Sequence, residues 1–191
     1  MRVRPNPVTV DGLAAEVGSL RAVSPPLHAV AVTGGEPLAQ VDFLVTWLRR
    51  SPLGLPVLLE TAGIMPARLA RVLPFVSIVS LDLKCPSNTG ERARWDEHEA
   101  CLRAAAAAGC EVYAKMPVDE DTDPDEVERG ASLVAAAGGP GVTLFLTPLT
   151  LPLGVEPQIG PSRLEWLHAV ASRRHADVRI LPQLHKVLGI P

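Results

Sequence analysis

The stretch Ala31-Val32-Thr33-Gly34-Gly35-Glu36-Pro37-Leu38 ends an apolar run on two glycines, a carboxylate and a proline. Adjacent glycines let backbone amides approach a ligand closely and reach φ values closed to other residues. A proline suits the first turn of a helix, where its missing N–H costs nothing. Glu36 therefore falls in a strand-to-helix turn, the place where α/β folds bind ligands. Polar residues recur behind the later apolar runs: Glu60 and Thr61 in LLETAG, then Asp82, Lys84, Cys85 and Ser87 in SLDLKCPS. Lys115 follows, then Thr147 before Pro148, and finally Gln183, His185 and Lys186 in LPQLHK. Each has a structural reading beside the functional one. Glu60 can be a buried acid paired with Lys84 or Lys115. Asp82 can cap a turn, Thr147 can satisfy loop backbone, and His185 can be an ordinary surface histidine. The recurrence of such groups behind five or six successive runs favours one shared ligand cleft.

Those residues need elements to hold them. Apolar runs at 28–33, 57–61, 76–82, 111–116, 142–147 and 178–181 predict strands, several of them continuous enough to be buried on both faces. Helical patterns lie between. Residues 37–50 carry Leu38, Val41, Leu44, Val45 and Leu48 on one stripe. The alanine-rich segment 91–108 ends at Gly109. Asp123-Pro124-Asp125-Glu126 reads as an N-cap, a first-turn proline and a capping box. Residues 162–173 place Leu164, Trp166, Leu167, Val170 and Ala171 on a core face. This alternation predicts an α/β fold with a parallel sheet, open or forming a partial (β/α) barrel. The stretch 149–161, rich in proline and glycine, reads as a long loop near the strand ends. The first clear strand comes only after a helix-like segment, Asp11 to Leu20, so a first strand is expected to be missing. No repeat or linker divides the chain, so 1–191 is taken as one domain.

The chain has 191 residues, 47% hydrophobic and 20% charged, enough for one globular domain with a real core. A net charge of −3 gives no bulk attraction to nucleic acid or anionic membrane. No apolar run has transmembrane length and MRVRPNPVTV lacks a signal-peptide core, so a cytoplasmic location is expected. Three irregularly spaced cysteines do not form a disulfide framework.

The ordered set VTGGEPL, LLETAG, SLDLKCPS and LPQLHK, spread from about Val8 to Pro191, resembles the radical S-adenosylmethionine superfamily. Within it the chain is most similar to the 7-carboxy-7-deazaguanine synthase family of queuosine and deazapurine biosynthesis; GGEP alone marks only the superfamily. The resemblance implies a carbon–nitrogen lyase that contracts the ring of 6-carboxy-5,6,7,8-tetrahydropterin. Its cofactors would be S-adenosylmethionine, a [4Fe–4S] cluster and Mg²⁺, and it implies a homodimer. Thr33, Gly34, Gly35 and Glu36 would lie along the methionine end of S-adenosylmethionine, with the Glu36 carboxylate toward its ammonium. Glu60 and Thr61 would sit at the rim of the same cleft. Lys84, Cys85 and Ser87 would line the ribose and adenine side. Gln183 and His185 would lie toward the pterin-like substrate. The chain end would fold back over that cleft and offer the Pro191 carboxylate to the pterin edge, where the alternative is a frayed tail.

One departure matters. The superfamily holds its cluster on three closely spaced cysteines, whereas Cys85, Cys101 and Cys110 here are separated by 16 and 9 positions (85 to 101, 101 to 110). No metal ligands are therefore assigned, and Cys101 and Cys110 read as small buried hydrophobes. The cysteine loop and the Mg²⁺ threonine are expected to belong to the same lost segment as the first strand. Three readings follow: an enzyme whose record starts late, a truncated or split non-catalytic S-adenosylmethionine-binding homologue, and an activase of the glycyl-radical type, which the QLHK stretch disfavours.

Overall fold

The computed structural model describes residues 8–23, 26–50, 54–139, 141–150 and 157–183. Helix α1 (Val10–Val23) leads into β1 (Val30–Val32), a 3₁₀ turn (Pro37–Gln40) and α2 (Val41–Arg50). Then come β2 (Val57–Thr61), α3 (Pro66–Val72), β3 (Ile78–Asp82), the single-turn α4 (Pro86–Thr89) and α5 (Trp95–Ala107). The chain continues through β4 (Glu111–Val118), α6 (Pro124–Leu133), β5 (Thr143–Pro148), α7 (Pro161–Ser172) and β6 (Val178–Ile180). All six expected strands are present, within a few residues of their expected bounds.

The strands pair in parallel in the order β1-β2-β3-β4-β5-β6, and among the described residues β1 and β6 are edges and the sheet does not close. Sequential order with right-handed crossovers puts every crossover helix on the same face. The burial pattern records it. Val57, Leu59, Val79, Leu81, Ala114, Met116, Leu144 and Leu146 alternate along their strands and are buried. They meet the apolar stripes of the helices: Leu44, Trp47 and Leu48 of α2, Cys101, Leu102 and Ala105 of α5, Leu167 and Val170 of α7. The opposite, concave face carries Glu60, Asp82, Lys115 and an edge-to-face Tyr113–Phe145 pair with ring centroids 5.8 Å apart.

Two local expectations fail. Trp166 does not join the core face of α7 but stays 42% exposed, its ring covered by the Arg163 guanidinium at 4.5 Å. A large ring with a cation stacked on it is satisfied at the surface. The capping box is half formed. Asp123 caps α6 by accepting from the Asp125 N–H at 2.9 Å, but the Glu126 carboxylate turns away to Ser87 instead of returning to the cap. A charge-assisted bond to the neighbouring loop wins over the local one.

Candidate functional site

The C-terminal ends of β1 and β2 meet at Glu36, and the segment after β3 adds Lys84 to the cleft beside it. Strand β1 ends at Val32, and after Thr33 Gly34 turns the chain with φ 110°, a conformation that requires glycine. A Cβ at Gly34 or Gly35 would meet nothing within 4 Å, so the turn is open on that side. Glu36 then caps the following 3₁₀ turn. Its Oε1 accepts from the Leu38 N–H at 2.9 Å and the Thr61 hydroxyl at 2.9 Å, and its Oε2 accepts from the Ala62 N–H at 2.7 Å. Three donors fix the carboxylate in one place. A carboxylate offers about four acceptor positions, so one is left for a ligand.

Around it lies a cleft of about 240 Å³. Its lining brings Gly35, Glu36 and Ala62 together with the apolar Ile64 and Met65 and with Lys84, Thr89, Arg92, Arg94 and His98. Arg92 and Arg94 both reach Glu97, at 2.6 and 3.2 Å, and these bonds hold the Glu97 carboxyl below the usual carboxylate range. A fixed carboxylate facing a group of cations matches a zwitterion. A second slot, of about 220 Å³, opens on the other side of Lys84 and Thr89, lined also by Cys85, Asn88, Pro117 and Leu149. Its lining is largely apolar, which suits a flat ring.

The sequence-derived residues divide. Gly35, Glu36 and Lys84 line the polar cleft, and Lys84 and Cys85 line the slot. Thr61 is buried and holds Glu36 from behind. Gly34 shapes the turn and Thr33 is exposed beside it. Glu60 lies on the concave face and pairs with Lys115, Nζ to Oε2 2.9 Å, so of its two possible partners it takes Lys115 and not Lys84. Asp82 caps no turn; it stands 3.6 Å from the same ammonium. Burial raises the Asp82 carboxyl against the opposing pull of Lys115, while the Lys115 ammonium, which burial would lower, is raised by its bond to Glu60. Ser87 ties two loops together. Its N–H and hydroxyl donate to Glu126 at 3.1 and 2.7 Å, and its oxygen accepts from the Asp123 N–H. Gln183 accepts from the Thr150 hydroxyl at 2.5 Å. His185 and Pro191, with the chain end proposed to fold over the cleft, lie outside the described residues.

Arg92, Arg94, His98 and the Ile64-Met65 floor were not singled out from the sequence. Charged residues at a helix start read as ordinary capping, and a histidine inside WDEHEACL carries no motif. Only a helical wheel placing His98 with Cys101 and Leu102 on the buried stripe would have flagged it.

The cysteines do not meet. Cys85 ends the turn after β3, Cys101 is buried within α5, and Cys110 precedes β4 with its thiol donating to the Val76 carbonyl. Burial pushes the Cys85 thiol up to about 12 and the Cys101 thiol to about 11. Among the described residues no group of three or more His, Cys, Asp or Glu could hold a metal ion.

Comparison with known proteins agrees with this architecture. The radical SAM superfamily model matches residues 1–134. The 7-carboxy-7-deazaguanine synthase of Geobacter sulfurreducens is 37% identical over 185 residues, covering 96% of this chain and 72% of that protein. The synthase of Methanopyrus kandleri is 34% identical over 83% of this chain and 59% of its own length. That of Methanothermobacter thermautotrophicus is 26% identical over 88% and 72%. With the motif residues in their expected order along a parallel sheet, the chain belongs to the radical SAM superfamily and, within it, to the 7-carboxy-7-deazaguanine synthase family.

Proposed function

We propose that this chain binds S-adenosylmethionine across its rim and serves 7-carboxy-7-deazaguanine synthesis from 6-carboxy-5,6,7,8-tetrahydropterin. The observation that supports it is the polar cleft, where the Glu36 carboxylate, held by three donors, shares the lining with Lys84, Arg92 and Arg94. Glu36 suits the ammonium of the ligand's amino-acid end, and the cations suit its carboxylate. The apolar slot beyond Lys84 suits the adenine ring. When bound, S-adenosylmethionine supplies the radical chemistry for which the superfamily is named. The chain's part is to orient it. The concave face, with Glu60, Asp82 and Lys115, is the surface from which a donor-rich pterin edge would be held.

The three cysteines do not fit a [4Fe–4S] cluster, and no step is assigned through one. A second reading, an S-adenosylmethionine-binding homologue without turnover, would use the same cleft, but the relatives support the synthase reading. Calorimetry with S-adenosylmethionine on wild type and Glu36→Gln tests the binding they share. A charge-assisted contact is worth roughly 1.5–3 kcal/mol, so the variant should bind at least tenfold more weakly. Equal affinities would remove Glu36 from the site.

A further inference from the structure

His98 is buried at 1% exposure inside α5, a position that an apolar residue would fill without desolvating an imidazole. Its Nδ1 lies 3.1 Å from the Gly63 carbonyl. A carbonyl only accepts, so Nδ1 carries the proton. Nε2 is buried with no partner among the described residues, so the ring is neutral. Its charged neighbours are Glu97 on the same helix, Arg94 just before it and Lys84 after β3; burial, the dominant influence, holds its protonation down to about pH 4.

The partner of that bond is not an arbitrary carbonyl. Gly63 has φ 65°, and a Cβ there would lie 2.0 Å from Leu81 Cδ2 and 3.2 Å from His98 Nδ1. The turn is pressed against β3 and α5 with no room for a side chain. From Gly63 the contacts run toward the cleft. Its N–H donates to Thr61 Oγ1 at 3.3 Å, and the Thr61 hydroxyl donates to Glu36. The preceding Ala62 N–H donates to the other Glu36 oxygen. Two of the three donors on Glu36 therefore belong to the turn that His98 grips by its carbonyl.

We propose that His98 is a positioning residue for Glu36: its Nδ1–H locks the Gly63 carbonyl, and through Thr61 and Ala62 this sets the carboxylate that faces the ligand in the rim cleft. The inference rests on the S-adenosylmethionine reading for its consequence, not for its geometry. Two variants separate the roles. His98→Phe keeps a ring and loses the donor; His98→Asn places an amide N–H near the Nδ1 position.

The first measurement is amide hydrogen exchange in the ligand-free protein. His98→Phe should lose protection at Ala62 while Leu81 and Ala114 in the central strands keep theirs, and His98→Asn should restore Ala62. Unchanged protection at Ala62, or loss only in step with the whole sheet, overturns the proposal. The second is a binding cycle with S-adenosylmethionine. His98→Phe should weaken binding by about tenfold in the wild type and by less than about twofold in Glu36→Gln, because residues acting through one contact are not additive. Equal losses in both backgrounds overturn it. If the wild type itself takes up no S-adenosylmethionine, the ligand reading fails, and the exchange result still decides His98.

Discussion

The buried imidazole of His98 links the site to pH. The ordinary value for His98 is 6.5, and burial first of all lowers it to about 4 in the fold. Between those values the unfolded chain binds a proton that the native protein refuses. Stability contributed by the neutral ring is thus complete above about pH 6.5 and is lost as pH falls toward 4, up to about 3 kcal/mol. Urea unfolding at pH 7 and pH 4.5 should show a steeper loss for wild type than for His98→Asn; equal losses would assign the titration elsewhere. Lys115 acts differently. It pairs with both Glu60 and Asp82, and removing it leaves the two carboxylates facing each other with only the more distant pull of Lys84 on Asp82. Because the Glu60 side chain is 37% exposed, Lys115→Met should cost about 1–2 kcal/mol, below the toll of a fully buried pair. Adding Glu60→Gln should recover part of it, read as a double-mutant cycle by denaturation.

At the scale of elements, the turns after the strands carry the design. The β2–α3 turn is the most constrained, since Gly63 combines a left-handed φ with contact to buried Leu81. Gly63→Ala should destabilise by about 2–4 kcal/mol, combining backbone strain with overpacking, measured as a shift in the urea midpoint. A change below about 0.5 kcal/mol would mean that the turn relaxes freely. The strands were legible as apolar runs between turn residues, but the expected burial on both faces holds only for β3, buried along Ile78–Leu81; β2, β4 and β5 alternate buried with less buried positions, because the helices cover one face of the sheet. The stripe of α2 was legible by its period: Leu38, Val41, Leu44 and Leu48 are all buried, and Trp47 joins them. Trp166 was misread because period alone does not distinguish a core tryptophan from one shielded by an arginine one turn away. The Glu126 side chain was misread because its partner, Ser87, is 39 residues distant.

For the molecule as a whole, the question is what this chain can assemble. Anaerobic reconstitution of the 191-residue protein with iron and sulfide should give no stoichiometric, reducible cluster by metal analysis and EPR. A thiol reagent should leave Cys85 and Cys101 unmodified until the protein unfolds, since both are buried and protonated. A cluster held by the native monomer would overturn this account. What the sequence by itself determined was the alternation of strands and helices, a parallel sheet left either open or forming a partial barrel, and the presence of Thr33, Gly34, Gly35, Glu36, Glu60, Thr61, Lys84 and Cys85 at or just behind the strand ends. Those follow from local patterns, because residue period and turn chemistry act within a few positions. Only the tertiary structure decided which groups meet. Glu36 is claimed by Thr61 and Ala62, 25 and 26 residues away. Lys115 takes Glu60 at a separation of 55, and His98 takes the Gly63 carbonyl at 35. Such pairings are set by strand register and by which donors remain unsatisfied after the sheet closes its own hydrogen bonds, and neither quantity is written in any local stretch of residues.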